Sequence, residues 1–341
     1  MDGVKSRIRS SIDLEKMGHQ VGELMIPWSD NTVPLGHHPI PIINIKNGNG
    51  KKILIVGGNH GDEFEGPSAI MRASQGISVS EVNGQILLIP GLSFDAITQS
   101  RRTNPLDNKN MNRAFPGNSN GSPTEMLAAY LENELMQNFD AIIDFHSGGK
   151  ASFFMPCSLV YKSQNNKLFQ KNLALAKAFG IATIWVLGEN NDNRSLNSAA
   201  DRANIPMIAT ELGGGGGVDP EMTNMAEIGI FNILSHLKIC KGRKGPNSEP
   251  ASKFEKIEIG DPSASIHSPA FGLFDRMVKA GDAISKGQTA GWFHYITEPE
   301  RASVKLKFEH SGIILAHSNR GMVKKGEMLA LVANKLAIDD C

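Results

Sequence analysis

"KKILIVGGNHGDEFEGP", residues 51–67, governs how the rest of this chain is read. Its apolar run, Ile53 to Val56, has the length and the β-branched content of a buried strand. The run ends in Gly57-Gly58 and delivers His60 and Glu63, three residues apart, where one turn of chain can set both groups on one side. Asp62 and Glu65 compete with Glu63 as the carboxylate of the group. Imidazole and carboxylate are zinc ligands, and catalytic zinc usually has three protein groups and a fourth position for water. A surface loop that happens to carry a histidine explains an H-x-x-E tetrapeptide equally well when it stands alone. The weight comes from its place directly after a buried strand.

Two more strand ends carry groups of the same kind. "AIIDFHSGG" delivers His146, with Asp144 two residues earlier and therefore on the same strand face, where it can orient the imidazole. "PMIATELGGGGG" ends in Glu211, a possible general base, and Gly213 to Gly217 behind it permit close backbone approach. Taken singly, His146 reads as a satisfied core histidine and Glu211 as a salt-bridged carboxylate. Taken together, three strand ends with four such groups suggest a zinc hydrolase.

Runs at 53–57, 85–90, 141–146, 181–187 and 206–211 read as strands of a sheet covered on both faces. Helical patterns lie between them at 122–139, 164–179 and 220–238, the first opening on Ser122, Pro123 and Glu125 as a capping box. Alternating strands and helices predict an α/β domain over residues 1–245, with an amino-terminal β extension and its site outside the carboxyl ends of the strands. Residues 240–253, "CKGRKGPNSEPASK", read as a linker, and 254–341 as a smaller β domain. Within that domain "ISKGQTAG" at 284–291 recurs as "VKKGEMLA" at 323–330, and "FGLF" at 271–274 matches "SGII" at 311–314. The repeat predicts pseudo-twofold symmetry and resembles the barrel-sandwich fold of biotinyl and lipoyl domains. No lysine in a carrier motif sits between the copies, so the expected role is structural or substrate-shaping.

Among the 341 residues, 35 Lys+Arg balance 35 Asp+Glu, which argues against a nucleic-acid or membrane-surface binder. Cys157, Cys240 and Cys341 are widely spaced and form no CxxC pair, as suits a reducing compartment. The amino-terminal stretch has no apolar core of a signal peptide, and no run reaches spanning length, so a cytoplasmic location is expected. The size allows a homo-oligomer. Residues 100–117, "SRRTNPLDNKNMNRAFPG", hold three arginines with Asn110 and Asn112, a natural carboxylate receptor. His37-His38 are not read as ligands, since no strand end or carboxylate accompanies them in the sequence.

In the order "GGNHGDEFEG", "NMNRAFPG", "DFHSGG" and "TELGGGG", with 83 residues from Glu63 to His146 and 65 from His146 to Glu211, the chain resembles the succinylglutamate desuccinylase/aspartoacylase family of the zinc carboxypeptidase superfamily. The resemblance covers about residues 40 to 240, and an added C-terminal β domain is a family habit. It implies a carboxypeptidase-like mixed sheet flanked by helices and one zinc ion per chain held by His60, Glu63 and His146. By the same resemblance, Glu211 is the general base, Asn112 and Arg113 grip the substrate's α-carboxylate, and Arg102 rather than Arg101 polarises the scissile carbonyl. The sequence around Arg194 departs too far from the family pattern to inherit a role. The implied activity is deacylation of a small N-acyl amino acid, with the stretch from "GGNHGDEFEGP" to "RRTNPLDNKNMNRAFPG" pointing to N-α-acetyl-L-2,4-diaminobutyrate. Alternatives are another N-acyl substrate of the family or a peptide-cleaving zinc carboxypeptidase. A non-catalytic binding module is disfavoured by the complete set of ligands and base.

Overall fold

The computed structural model describes residues 6–188, 192–240, 251 and 253–336. Among these residues a fourteen-stranded mixed sheet runs through the molecule. Its centre is a parallel run of Gly84–Ile89, Lys52–Gly57, Ala141–His146 and Met207–Gly214. The described helices are α1 (Glu65–Gly76), α2 (Phe94–Thr98), α3 (Pro123–Tyr130), α4 (Asn166–Phe179), α5 (Leu196–Arg202) and α6 (Pro220–His236).

The period of two along each strand sends side chains to opposite cores. Ile53 and Ile55 join Ile70 of α1, Phe169 of α4 and Ile230 of α6 on one face. Leu54 and Val56 join Leu127 of α3 and Ala199 of α5 on the other. Covering both faces is what made these strands legible as unbroken apolar runs.

The structure departs from the sequence reading in two places. The helical pattern over 122–139 is regular only through Tyr130, then widens into a π-turn at Leu131–Leu135 and tightens into a 3₁₀ turn at Met136–Asn138. Glu132 in the widened turn takes Arg202 Nε and Nη2 at 2.8 and 2.7 Å, a long-range pair that helical periodicity does not reveal. The strand Ser152–Tyr161 was not anticipated; Pro156 sits where its register slips between Phe154 and Cys157. Proline removes a ladder donor, so the run does not look like a central strand. The expected amino-terminal β extension is formed by Gly18–Ile26 and His38–Asn47, which lengthen the sheet through antiparallel pairing.

The carboxyl-terminal strands are laced into the same sheet. Ser152–Tyr161 pairs with Thr183–Leu187, which pairs with Glu255–Glu258, which pairs with Met328–Lys335. Met328–Lys335 pairs with Gly312–Ser318, and that strand returns to Ser152, Phe153 and Phe154. The circuit closes with five strands, two from before residue 240 and three from after it. Most of the stretch read as a linker, 240–253, lies outside the described residues.

The internal repeat is visible in the backbone. Ala283–Ile284 pairs with Gly312–Ser318, and Met322–Val323 pairs with Gly272–Arg276, so each copy lends its short strand to the other. Gly287 and Gly326 occupy equivalent turns with φ of 84° and 83°, a left-handed conformation that glycine adopts without a Cβ penalty.

Candidate active site

The turn after Lys52–Gly57 is tight because glycine lets two backbones touch. A Cβ on Gly61 would lie 2.1 Å from the carbonyl carbon of Ala96 in α2. This contact, with Gly61 N donating to Arg101 O at 2.9 Å, brings the arginine loop against the His60–Glu63 turn. His60, Glu63 and His146 are all buried and offer ligand atoms within 4.8 Å of one another. Asp62 and Glu65, the competing carboxylates, lie outside that group; Asp62 Oδ2 instead accepts from Lys150 N at 3.0 Å.

The ring nitrogens are sorted by their outer partners. His146 Nε2 faces Asp144 Oδ2 at 2.9 Å, and Asn59 Nδ2 donates to the same oxygen at 3.1 Å. His60 Nε2 faces Asn110 Oδ1 at 3.1 Å, an oxygen identified as such because it also accepts from Asn112 N at 2.9 Å. Both Nε2 atoms are therefore the protonated ones in a neutral ring. That leaves the two Nδ1 atoms facing Glu63, His60 at 2.7 Å from Oε1 and His146 at 2.9 Å from Oε2. Lone pairs of two imidazoles and a carboxylate converging in a buried space call for positive charge between them. Two nitrogens and a carboxylate oxygen, outwardly braced by Asp144 and Asn110, are a donor set that fits a zinc ion.

The electrostatics show the same demand for positive charge at this centre. Burial opposes ionisation of Glu63, yet the His60 and His146 rings hold its carboxyl well below the usual range. Burial likewise opposes charge on His146, but Asp144 and Glu63 outweigh it and push the imidazole well up. Glu211 lies beside His146 by strand register, and burial together with the Glu63 charge pushes its carboxyl well up, against the pull of His146 and Arg102. Its Oε2 is buried without a hydrogen-bond partner.

Of the two neighbouring arginines, Arg102 reaches the site, with Nη1 3.2 Å from Glu63 Oε1. Arg101 turns to Asn108 Oδ1 at 3.1 Å. Asn112 Oδ1 accepts from Leu196 N at 2.9 Å, which leaves Nδ2 as a second donor 3.4 Å from His146 Nε2 rather than as its hydrogen-bond partner. Arg113 is half exposed and lines a recess of about 370 Å³ with Lys109, Phe115 and Arg194. Asn110, grouped with the carboxylate receptor in the sequence, is spent on the His60 ring instead.

The reading of His37-His38 as free of carboxylates is overturned. His37 Nε2 meets Glu23 Oε1 at 2.5 Å, and buried His38 sits between Asp30 and Asp95, each at 3.1 Å. Those acids come from a neighbouring strand, a preceding loop and α2, so no local pattern announces them. Neither histidine belongs to the described metal-capable group.

A buried donor set at parallel strand ends, with a carboxylate of raised pKa beside it, defines an α/β hydrolase built around a metal-capable centre. Residues 49–237 match the succinylglutamate desuccinylase/aspartoacylase catalytic domain. The chain belongs to the succinylglutamate desuccinylase/aspartoacylase family. It is 32% identical, over 96% of its length and 95% of the relative's, to N-alpha-acetyl-L-2,4-diaminobutyric acid deacetylase of Halomonas elongata. The product-bound ectoine utilization protein EutE (DoeB) of Ruegeria pomeroyi superposes with a TM-score of 0.91 at 29% identity, covering 97% of this chain and 99% of that one. A succinylglutamate desuccinylase/aspartoacylase from Rhodobacter sphaeroides gives 0.90 at 30% identity, with 97% and 100% coverage. Among the described residues no helix is long and apolar enough to cross a membrane.

Proposed function

We propose that the protein hydrolyses the acetamide of N-α-acetyl-L-2,4-diaminobutyrate, releasing acetate and L-2,4-diaminobutyrate. The chemistry is carried by one observation: Nδ1 of His60, Nδ1 of His146 and the Glu63 carboxylate converge beside Glu211. The substrate is carried by near-full-length similarity to a deacetylase of that compound.

In this reading His60, Glu63 and His146 would hold zinc. When bound there, it would supply Lewis acidity to the acyl carbonyl and to the attacking water. Glu211, in the buried setting that raises its proton affinity, takes the proton of the attacking water. It then returns that proton to the leaving nitrogen, a service typically worth roughly 10²–10⁴ in rate. Arg102 stands on the open side of Glu63 and supplies fixed positive charge to the oxygen that becomes an oxyanion. Asn112 directs its amide N–H into the site, and Arg113 beside it takes the α-carboxylate.

We read residues 1–245 as the hydrolase unit, with a carboxypeptidase-like sheet, and 254–341 as an appended barrel-sandwich unit. That unit is tied to the hydrolase at Ser152, where Asn319 N donates to Ala151 O and Asn319 Nδ2 to Ser152 O. The same corner holds Gly213–Gly215 behind Glu211, through Gly148 N to Gly213 O and Gly215 N to Gly149 O. We infer that a unit added at this edge narrows the approach to the site, which suits small substrates.

The test is amine release by the zinc-loaded protein from N-α-acetyl-2,4-diaminobutyrate, N-acetylaspartate, N-succinylglutamate and a blocked dipeptide. Selective turnover of the first is expected. Cleavage of the dipeptide alone overturns the deacylase reading in favour of a peptidase.

A further inference from the structure

Arg113 is oriented by a neighbour with no role so far. Asp192 Oδ2 lies 3.0 Å from Arg113 Nε, while Arg113 Nη1 donates to the Asn112 carbonyl at 2.6 Å. The two contacts fix the plane of a guanidinium on a long side chain that is otherwise 43% exposed.

Asp192 is itself anchored. Arg194 donates to it from N and Nε at 2.9 Å and from Nη2 at 2.7 Å. Its backbone carbonyl accepts the Ser198 hydroxyl at 2.8 Å, which ties it to the first turn of α5. The same short segment sets the rest of the receptor. Leu196 N donates to Asn112 Oδ1 and so turns Asn112 Nδ2 toward the His146 side of the site, and Arg194 O accepts from Phe115 N at 3.2 Å. A direct role for Asp192 in holding a substrate ammonium fits poorly, because two guanidinium groups already share its carboxylate.

We infer that Asp192 is a positioning residue, which holds the Arg113 guanidinium ready for the substrate's α-carboxylate and so makes the enzyme prefer N-acyl amino acids over N-acyl amines. The inference rests on the deacylase reading above. Planar fork-to-carboxylate bonding depends on angle as well as distance, so a guanidinium fixed in advance binds with less ordering to do. Asp192→Asn keeps the shape but weakens the hold on Nε and leaves Arg113 and Arg194 as neighbouring like charges.

The experiment compares wild type, Asp192→Asn and Asp192→Glu on N-α-acetyl-2,4-diaminobutyrate and on N-acetyl-1,3-diaminopropane, which lacks the α-carboxylate. Zinc content and melting temperature are measured on each protein. Wild type is expected to favour the acid. Asp192→Asn is expected to raise KM for the acid about tenfold with a much smaller change in kcat, and so to lose most of its preference over the amine. Asp192→Glu is expected to recover part of that preference. Equal losses on both compounds mark ordinary structural damage and overturn the inference. A fall in KM for the acid, the result of added positive charge alone, overturns it as well. Wild type that discriminates, with Asp192→Asn discriminating equally, sinks the role of Asp192 and leaves the deacylase reading intact. Wild type that hydrolyses neither compound sinks both.

Discussion

Replacing Asp144 by Asn tests whether the outer partner of His146 governs metal affinity. Asp144 is fully buried, and its Oδ2 receives the His146 Nε2–H at 2.9 Å and the Asn59 amide at 3.1 Å. A hydrogen bond to a charged group is worth about 1.5–3 kcal/mol and a neutral one about 0.5–1.5, so losing the charge costs about 1–1.5 kcal/mol. At about 1.4 kcal/mol per decade that is roughly a tenfold drop in zinc affinity. A second cost follows from Asp144 Oδ1, which is buried with no hydrogen-bond partner. An amide NH₂ placed there is an unsatisfied donor, with a penalty of about 1–3 kcal/mol falling mainly on stability. Asp144→Ala strands both the imidazole N–H and the Asn59 amide, and belongs toward the hundredfold end of the range of about 10–100-fold seen for such partners. Competition against a fluorescent zinc chelator measures the affinity, and thermal melts with and without zinc separate it from stability. An Asp144→Asn protein that binds zinc within twofold of wild type would refute the claim that this carboxylate sets the ring.

Glu211→Gln is expected to keep zinc, counted by atomic emission, while turnover falls roughly 10²–10⁴-fold; near-normal rates would end its role as base. His146→Ala is expected to lose the metal itself, and a full zinc complement in that variant would remove His146 from the ligand set. Gly61→Ala drives a Cβ into the Ala96 backbone, so we expect about 1–3 kcal/mol of destabilisation in urea melts, with a change under about 0.5 speaking against a fixed contact there. Burial and the Arg276 charge push the His317 imidazole down, with Ser318 and Asp282 only partly opposing them. The unfolded chain then takes up the proton first, so this contribution is complete above about pH 6.5 and falls as pH drops toward the folded value. Melting temperatures at pH 7.5 and 5.5 should show that slope, and His317→Gln should flatten it; an unchanged slope contradicts the assignment.

Much of the centre was legible because it lies at the ends of unbroken apolar runs. Ile53–Val56, Ala141–Ile143 and Met207–Ala209 announce themselves, and each ends where the chemistry begins. His60, Glu63 and His146 follow from that placement. What stayed hidden depends on contacts between distant parts of the chain. The contacts that bring Arg102 rather than Arg101 to Glu63 are of this kind, with Gly61 packing on α2 and Asn108 drawing Arg101 away. Asn110 looked like part of a carboxylate receptor because no sequence rule shows that its oxygen meets His60. Asp192 carried no signal, since its value lies in facing Arg113 across 79 positions of chain.

The closed circuit of five strands bears on how this chain is made. Its first two members, Ser152–Tyr161 and Thr183–Leu187, leave the ribosome well before Glu255–Glu258, Gly312–Ser318 and Met328–Lys335. Until the last of these emerges, the earlier pair presents open hydrogen-bonding edges, the kind of surface that pairs with stray strands of other chains. Synthesis therefore has a vulnerable interval that lasts until Met328–Lys335 has emerged. A gene cut near position 245 would make that interval permanent, yielding a product that associates through its edges. The segment that carries these three strands is in this sense a clasp, fastened after the rest of the circuit, and exchanging it between homologues requires matching edges on both sides.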